Sequence, residues 1–161
     1  MKQLIIKNLP TEPQSFEDFV DDDGCGNGPF KMKLTVWREE DNAYFDWTGT
    51  SDQAPGAINC YLHEGMFKMF VGAYMMTFEP QIPLNEGFYD LIHVTMPKGS
   101  LVQPKFPAAL GGRAQVLARQ FDVLAGFPNQ LFGFRENGQG FEAEEVELDQ
   151  PRGFHILHGK P

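Results

Sequence analysis

Phe30-Lys31-Met32-Lys33-Leu34-Thr35-Val36-Trp37 alternates apolar and polar side chains without a break, and beyond Arg38–Asn42 the stretch Ala43-Tyr44-Phe45-Asp46-Trp47 does the same. A period of two sends successive side chains to opposite faces of a strand, so each stretch reads as a half-buried strand. The polar run between them, Arg38-Glu39-Glu40-Asp41-Asn42, is a turn, and the pair reads as an antiparallel hairpin.

Working outward, Asp21-Asp22-Asp23-Gly24-Cys25-Gly26-Asn27-Gly28-Pro29 upstream of the hairpin can only be loop. Before it, residues 1–20 hold one apolar patch, Leu4-Ile5-Ile6, then Pro10 and Pro13, and read as an entry arm or an edge strand, with no core of their own. Downstream, after the Thr48–Ser51 and Pro55-Gly56 turns, the period changes. Ile58, Leu62, Met66, Met69, Phe70, Ala73 and Met76 fall at three- and four-residue spacing, which predicts one helix from about Ile58 to Phe78. Gly65 and Gly72 inside it cost about 1 kcal/mol each relative to Ala, so another backbone or partner is expected close by. Pro80, Pro83 and the Asn85-Glu86-Gly87 turn end that helix. Leu91–Met96 predicts a third strand, Leu101–Pro107 an extended link, and Gly111-Gly112 the opening of a shorter helix with Val116, Leu117, Phe121 and Leu124 on its apolar side, stopped by Gly126 and Pro128. The fold class that results is α+β, a hairpin and an additional strand packed with one long and one shorter helix. From Gln130 to Pro161 the character shifts and periodicity is lost; Glu142, Glu144, Glu145, Glu147 and Asp149 crowd together there, and this stretch reads as a weak strand pair or as unordered chain.

Bulk composition narrows the function classes. The chain has 161 residues, enough for one ordinary core, and its 15 Phe and 7 Met belong in cores or interfaces. A net charge of -9 and the lack of any basic run exclude a phosphate-binding face for nucleic acid and argue against an anionic membrane surface. Two cysteines, Cys25 and Cys60, do not make a disulfide framework, and the opening residues lack a signal peptide's apolar stretch, so a cytoplasmic location with free thiols is expected.

Candidate chemistry is sparse. Gly111-Gly112-Arg113 at a helix start could hold an anion through free N–H groups, the helix dipole and a guanidinium fork; the alternative is a tight turn with a solvated Arg. Asn59 is a second candidate for contact with substrate, or a helix cap. Asp21, Asp22 and Asp23 offer oxygens for a hard cation, but no EF-hand spacing follows and a solvated turn is the better reading. Gly24–Gly28 lacks the Gly-Lys-Ser/Thr ending of a phosphate loop, His63 and His93 have no second ligand at metal spacing, and Cys25 has no base in sequence reach. No catalytic residue and no metal ligand is assigned.

Three blocks resemble the hydantoinase B/5-oxoprolinase family, which spans N-methylhydantoinases, 5-oxoprolinases and the large subunits of acetone and acetophenone carboxylases. Asp21-Asp22-Asp23-Gly24 leading to Phe45-Asp46-Trp47-Thr48-Gly49-Thr50-Ser51 is similar to the family's DDDG…DFTGTS passage. Gln53-Ala54-Pro55-Gly56-Ala57-Ile58-Asn59 is similar to Q-x-x-G-x-I-N. Ile82-Pro83-Leu84-Asn85-Glu86-Gly87, Pro97-Lys98-Gly99-Ser100-Leu101-Val102-Gln103-Pro104 and Pro107-Ala108-Ala109-Leu110-Gly111-Gly112 resemble IPLNxG…PxGSLLNP…PAAxGG. The resemblance covers roughly residues 16–126 and implies three segments: an entry arm (1–20), a hydantoinase B-like segment (21–126) and a divergent tail (127–161). It implies an internal piece of a catalytic subunit for ATP-dependent opening of hydantoins or 5-oxoproline, or for ketone carboxylation, toward which Trp37, Trp47 and the Met-rich helix lean. The piece is expected to be inactive alone. ATP, Mg and a divalent metal would be bound outside the segment, with no cofactor in this chain. Its partners would be a hydantoinase A-type subunit and the rest of the B-type subunit. The competing expectation is a non-catalytic assembly module that contacts a partner subunit through its apolar helix faces.

Overall fold

The computed structural model describes residues 2–78 and 86–131. Helix α1 (Lys2–Asn8) leads into strand β1 (Gln14–Val20), the hairpin β2 (Phe30–Glu39) and β3 (Asn42–Asp46), helix α2 (Glu64–Phe78), the single turn α3 (Glu86–Tyr89), strand β4 (Ile92–Thr95) and helix α4 (Ala114–Leu131). The strands form one mixed sheet in the order β1-β2-β3-β4. β1 and β3 flank β2 antiparallel, with Phe16 opposite Leu34 and Val36 opposite Phe45, and β4 runs parallel to β3, with Phe45 opposite Val94. The fold is α+β, as the alternation of periods predicts.

Cross-strand partners share a face, so the register sorts the sheet into two sides. Phe16, Val20, Met32, Leu34, Val36, Ala43, Phe45, Ile92 and Val94 fall on one; Met32, Leu34 and Val36 are fully buried there. Helix α4 covers this side over β1 and β2, where a Cβ on Gly126 would stand 2.7 Å from the Phe16 ring. Helix α2 covers the β3 end: Phe67 meets Phe45 and Trp47 edge-on, at ring separations of 5.5 and 5.6 Å. The opposite side is polar and partly open. Glu17 pairs with Lys31 and Lys33, Ser15 bonds Thr35, and Trp37, Tyr44 and His93 stack as a row across three strands.

Five local expectations are corrected. The arm of residues 1–20 is not extended throughout: Leu4-Ile5-Ile6 lies in α1, Ile5 is buried in the common core, and only Gln14–Val20 forms the edge strand. Helix α2 starts at Glu64 rather than Ile58, because Ile58–Leu62 is drawn out along the link after β4, Cys60 N–H donating to Leu101 O and Leu62 N–H to Val102 O. His63 caps the helix, its Nδ1 accepting the Gly65 N–H at 3.1 Å, so Asn59 is not a cap. The inward stripe of α2 is Phe67 and Val71, while Met66 and Met69 are exposed; the apolar spacing is ambiguous where nearly every helical residue is apolar. The α4 helix continues through Gly126 and Pro128 to Leu131, so residues 127–131 of the expected tail are helical. Gly126 is there because the Phe16 ring leaves no room for a Cβ, not to end the helix. The Pro80–Asn85 breakers and the remainder of the tail lie outside the described residues, and the Glu86-Gly87 turn opens α3. Among the described residues no helix is long and apolar enough to cross a membrane.

The fold's weight on one aromatic is testable. Phe67→Ala removes two edge contacts beneath a fully buried tryptophan and should lower stability by about 3–5 kcal/mol, read as a shift of the urea midpoint at constant slope.

Candidate functional site

The sheet's directions decide what its loops can do. β1, β3 and β4 all point their C-terminal ends the same way, where β2 begins, so the loops 21–29, 47–63 and 96–113 converge at one end of the sheet. Residues 21–24 and 47–51 of the first motif-like block, all of the second, and residues 97–104 and 107–112 of the third fall in these loops, whereas Phe45 and Asp46 belong to β3 and residues 82–85 lie outside the described residues.

Asp23 is the first hub. Its Oδ1 accepts the N–H groups of Cys25 (2.9 Å) and Asn27 (3.1 Å), and its Oδ2 accepts the Asn27 side-chain amide (2.9 Å) and the Gly56 N–H (2.8 Å). Burial, the largest influence, pushes the carboxyl pKa up; the donors from Asn27, Cys25 and Gly56 together outweigh it and bring the value down to about 2. Gly56 is required by contact: a Cβ there would stand 2.5 Å from Asp23 O and 2.7 Å from Oδ2.

Asn59 is the second hub, with no exposed surface. Its Oδ1 accepts the Ala54 N–H at 2.7 Å, and its Nδ2 donates to Ala54 O, Gly56 O and Ala109 O at 2.9, 3.1 and 3.1 Å. The amide is taken up by the protein itself. Gly112 N–H donates to Ala57 O at 2.7 Å, joining the third loop to the second. Of the sequence candidates, Asn59 and Gly112 therefore belong to one network, whereas Gly111 and Arg113 are exposed, the Arg113 guanidinium reaching Leu110 O at 3.4 Å.

Thr50 and Ser51 zip the second loop to β2: Thr50 Oγ1 bonds both N–H and C=O of Lys33, and Ser51 Oγ accepts the Lys31 N–H. Gln53 clamps the third loop, accepting from Lys105 N–H at 2.7 Å and donating to Lys105 O at 3.3 Å. Sequence reasoning did not single out Thr50, Ser51 or Gln53; each is a short polar residue whose partner lies at least 17 positions away, and nothing local signals that.

Two shallow clefts flank Asp21 and Asp22. One, of about 380 Å³, runs between the end of β1 and α4 and is lined by Val20, Asp21, Asp22, Gln115, Ala118, Arg119 and Asp122. Arg119 is occupied there by Asp122 (3.0 Å) and Asp18 (3.4 Å). The other, of about 390 Å³, is lined by the loop from Asp21 to Pro29. Cys25 is exposed. Cys60 is enclosed, and burial pushes its thiol up, opposed in part by the neighbouring Gln120 amide and the Arg113 charge. Gln120 is itself buried and, like the Trp47 indole N–H, has no partner in hydrogen-bond geometry among the described residues.

Among the described residues no three His, Cys, Asp or Glu side chains are grouped so that they could hold an ion. His63 caps α2, His93 bonds Asn42 at 3.0 Å, and Asp23 is spent on N–H groups.

Comparison with known proteins places this architecture. The sequence model of the Hydantoinase B/oxoprolinase family matches residues 1–143. The chain is 31% identical over 153 residues to a 5-oxoprolinase of Dictyostelium discoideum, covering 94% of this chain and 11% of that protein. It is 28% identical over 131 residues to a 5-oxoprolinase of Saccharomyces cerevisiae, covering 77% and 9%. The crystal structure of the ATP-dependent caprolactamase from Pseudomonas jessenii has the same fold, with a TM-score of 0.60 at 24% identity over 81% of this chain and 22% of that one.

Two variants test the network. The Asp23 pKa is depressed on folding, so its stabilisation is whole above the unfolded carboxyl value near 4 and is lost as pH falls toward about 2; acid titration followed by circular dichroism should show that loss, and Asp23→Asn should flatten it. Asn59→Ala leaves a buried N–H and three carbonyls short of a partner and should cost about 1–3 kcal/mol in urea unfolding.

Proposed function

Because the chain belongs to the Hydantoinase B/oxoprolinase family, we propose that it is a working part of an ATP-dependent cyclic amide hydrolase of the oxoprolinase or caprolactamase kind, and that it turns over no substrate alone. The family match over residues 1–143 is the observation that carries the reading. Three loops held rigidly at one end of the sheet support it, since preorganised loops on a stable scaffold are where such proteins place chemistry. So does size: the chain spans 11% and 9% of the two oxoprolinases and 22% of the caprolactamase.

On this reading the chain supplies scaffold and loop end. The remainder of a B-type subunit and a hydantoinase A-type subunit complete the enzyme, and ATP with Mg and a divalent metal are held by those polypeptides, in the cytoplasm. A hydrolase is favoured over a ketone carboxylase because the relatives named above are amide hydrolases.

The test is ATP-dependent ring opening of 5-oxoproline, hydantoin and caprolactam by the chain alone, by its co-encoded hydantoinase-type polypeptides alone, and by all together. Turnover is expected only from the full set. Activity of the isolated chain would overturn its incompleteness, and equal activity without it would leave an assembly module in place of a hydrolase part.

A further inference from the structure

Phe106 is 99% exposed, the most exposed of the large apolar side chains among the described residues, yet the backbone beneath it is fixed. Gln53 grips the N–H and C=O of Lys105 and approaches Pro107 O at 3.5 Å, so both neighbours of Phe106 are tied to one side chain. Gln53 is in turn held by its own N–H on Gly99 O, and Gly99 N–H returns to Gln103 O at 2.7 Å. A phenyl ring held in water on a stiff loop is the form of an interface anchor, because its backbone entropy is lost before binding and the ring's burial is then gained in full.

Resting on the reading that the chain works inside a larger hydantoinase-type assembly, we propose that Phe106 is a preformed anchor that seats in an apolar pocket of hydantoinase B-type polypeptide lying outside this stretch. A second copy of the chain is a poor host. The clefts beside Asp21 and Asp22 are lined by those carboxylates, Asp122 and a polar glycine loop, and a phenyl ring seated in either would desolvate carboxylates. A membrane is disfavoured by the net charge of -9. The relatives supply the occupant: in the caprolactamase this fold is 22% of the chain and in the Dictyostelium oxoprolinase the matching region is 11%, so most of the polypeptide available to cover the loop lies elsewhere in such proteins.

The experiment places p-benzoylphenylalanine at position 106, and for comparison at the exposed Glu40 on the opposite end of the sheet, in the full chain expressed in its cells of origin. After irradiation the chain is purified and its adducts are sequenced by mass spectrometry. An adduct at 106 containing hydantoinase B-type peptides, absent at 40, is expected. Phe106→Ser should weaken recovery of that polypeptide roughly tenfold or more while leaving the melting temperature of the isolated chain unchanged. Co-purification of a hydantoinase-type polypeptide without an adduct at 106 would overturn the anchor alone. Absence of any such polypeptide would overturn the anchor together with the assembly reading, and an adduct between two copies of the chain would replace the proposed host with a homodimer.

Discussion

A buried carboxylate that must stay charged and a buried amide that must stay bonded hold the loop end of this molecule together. Asp23 reaches across from the first loop to Gly56 in the second, and Asn59 reaches from the second to Ala109 in the third. Neither hub could be replaced by an apolar residue without orphaning several main-chain groups, because loop backbone has no ladder of its own to fall back on. Gly56 sits where both hubs meet, donating to one and accepting from the other. The network works only because β4 is parallel to β3; an antiparallel fourth strand would have sent residues 96–113 to the far end of the sheet.

This changes the meaning of the motif residues. From sequence, Asp23 offers oxygen to a cation and Asn59 and Gly112 a contact for substrate or an anion, while nothing local singles out Thr50, Ser51, Gln53 or Gly56. In the fold Asp23, Gln53, Asn59 and Gly112 bond the main chain of other loops, Gly56 N–H donates to the Asp23 carboxylate, and Thr50 and Ser51 bond the main chain of β2. A run such as Asp21-Asp22-Asp23 is therefore not uniform: Asp22 closes a local turn on Gly24 and Asp23 locks loop to loop, while Asp21 lines both clefts.

The strands of the hairpin were legible because each is half buried, so chemistry alternates with geometry from Phe30 to Trp47. The start of α2 was not. Cys60 and Leu62 donate to Leu101 O and Val102 O, a pairing about 40 residues distant that draws the chain out where the buried Ile58 and Leu62 happen to fall on helical spacing. Gly126 misled for a related reason, since a glycine chosen for close approach to Phe16 reads the same as one chosen to end a helix. The site was legible only as single candidate residues and as family likeness. Local sequence names its residues but not their partners, and whether Asn59 faces a ligand or Ala109 depends on a loop that arrives after α2 and β4.

The parallel join between β3 and β4 also has a consequence in time. The β2–β3 turn closes across two residues, whereas pairing Asp46 with Thr95 requires the whole of α2 and α3 to be looped out first. Chain-closure entropy grows as the logarithm of the span, which sets the second event behind the first by on the order of 2–3 kcal/mol before any contact repays it. The three antiparallel strands thus nucleate early, and the end of the sheet where the loops meet is assembled last, when β4 docks and delivers Ala109 to the waiting amide of Asn59.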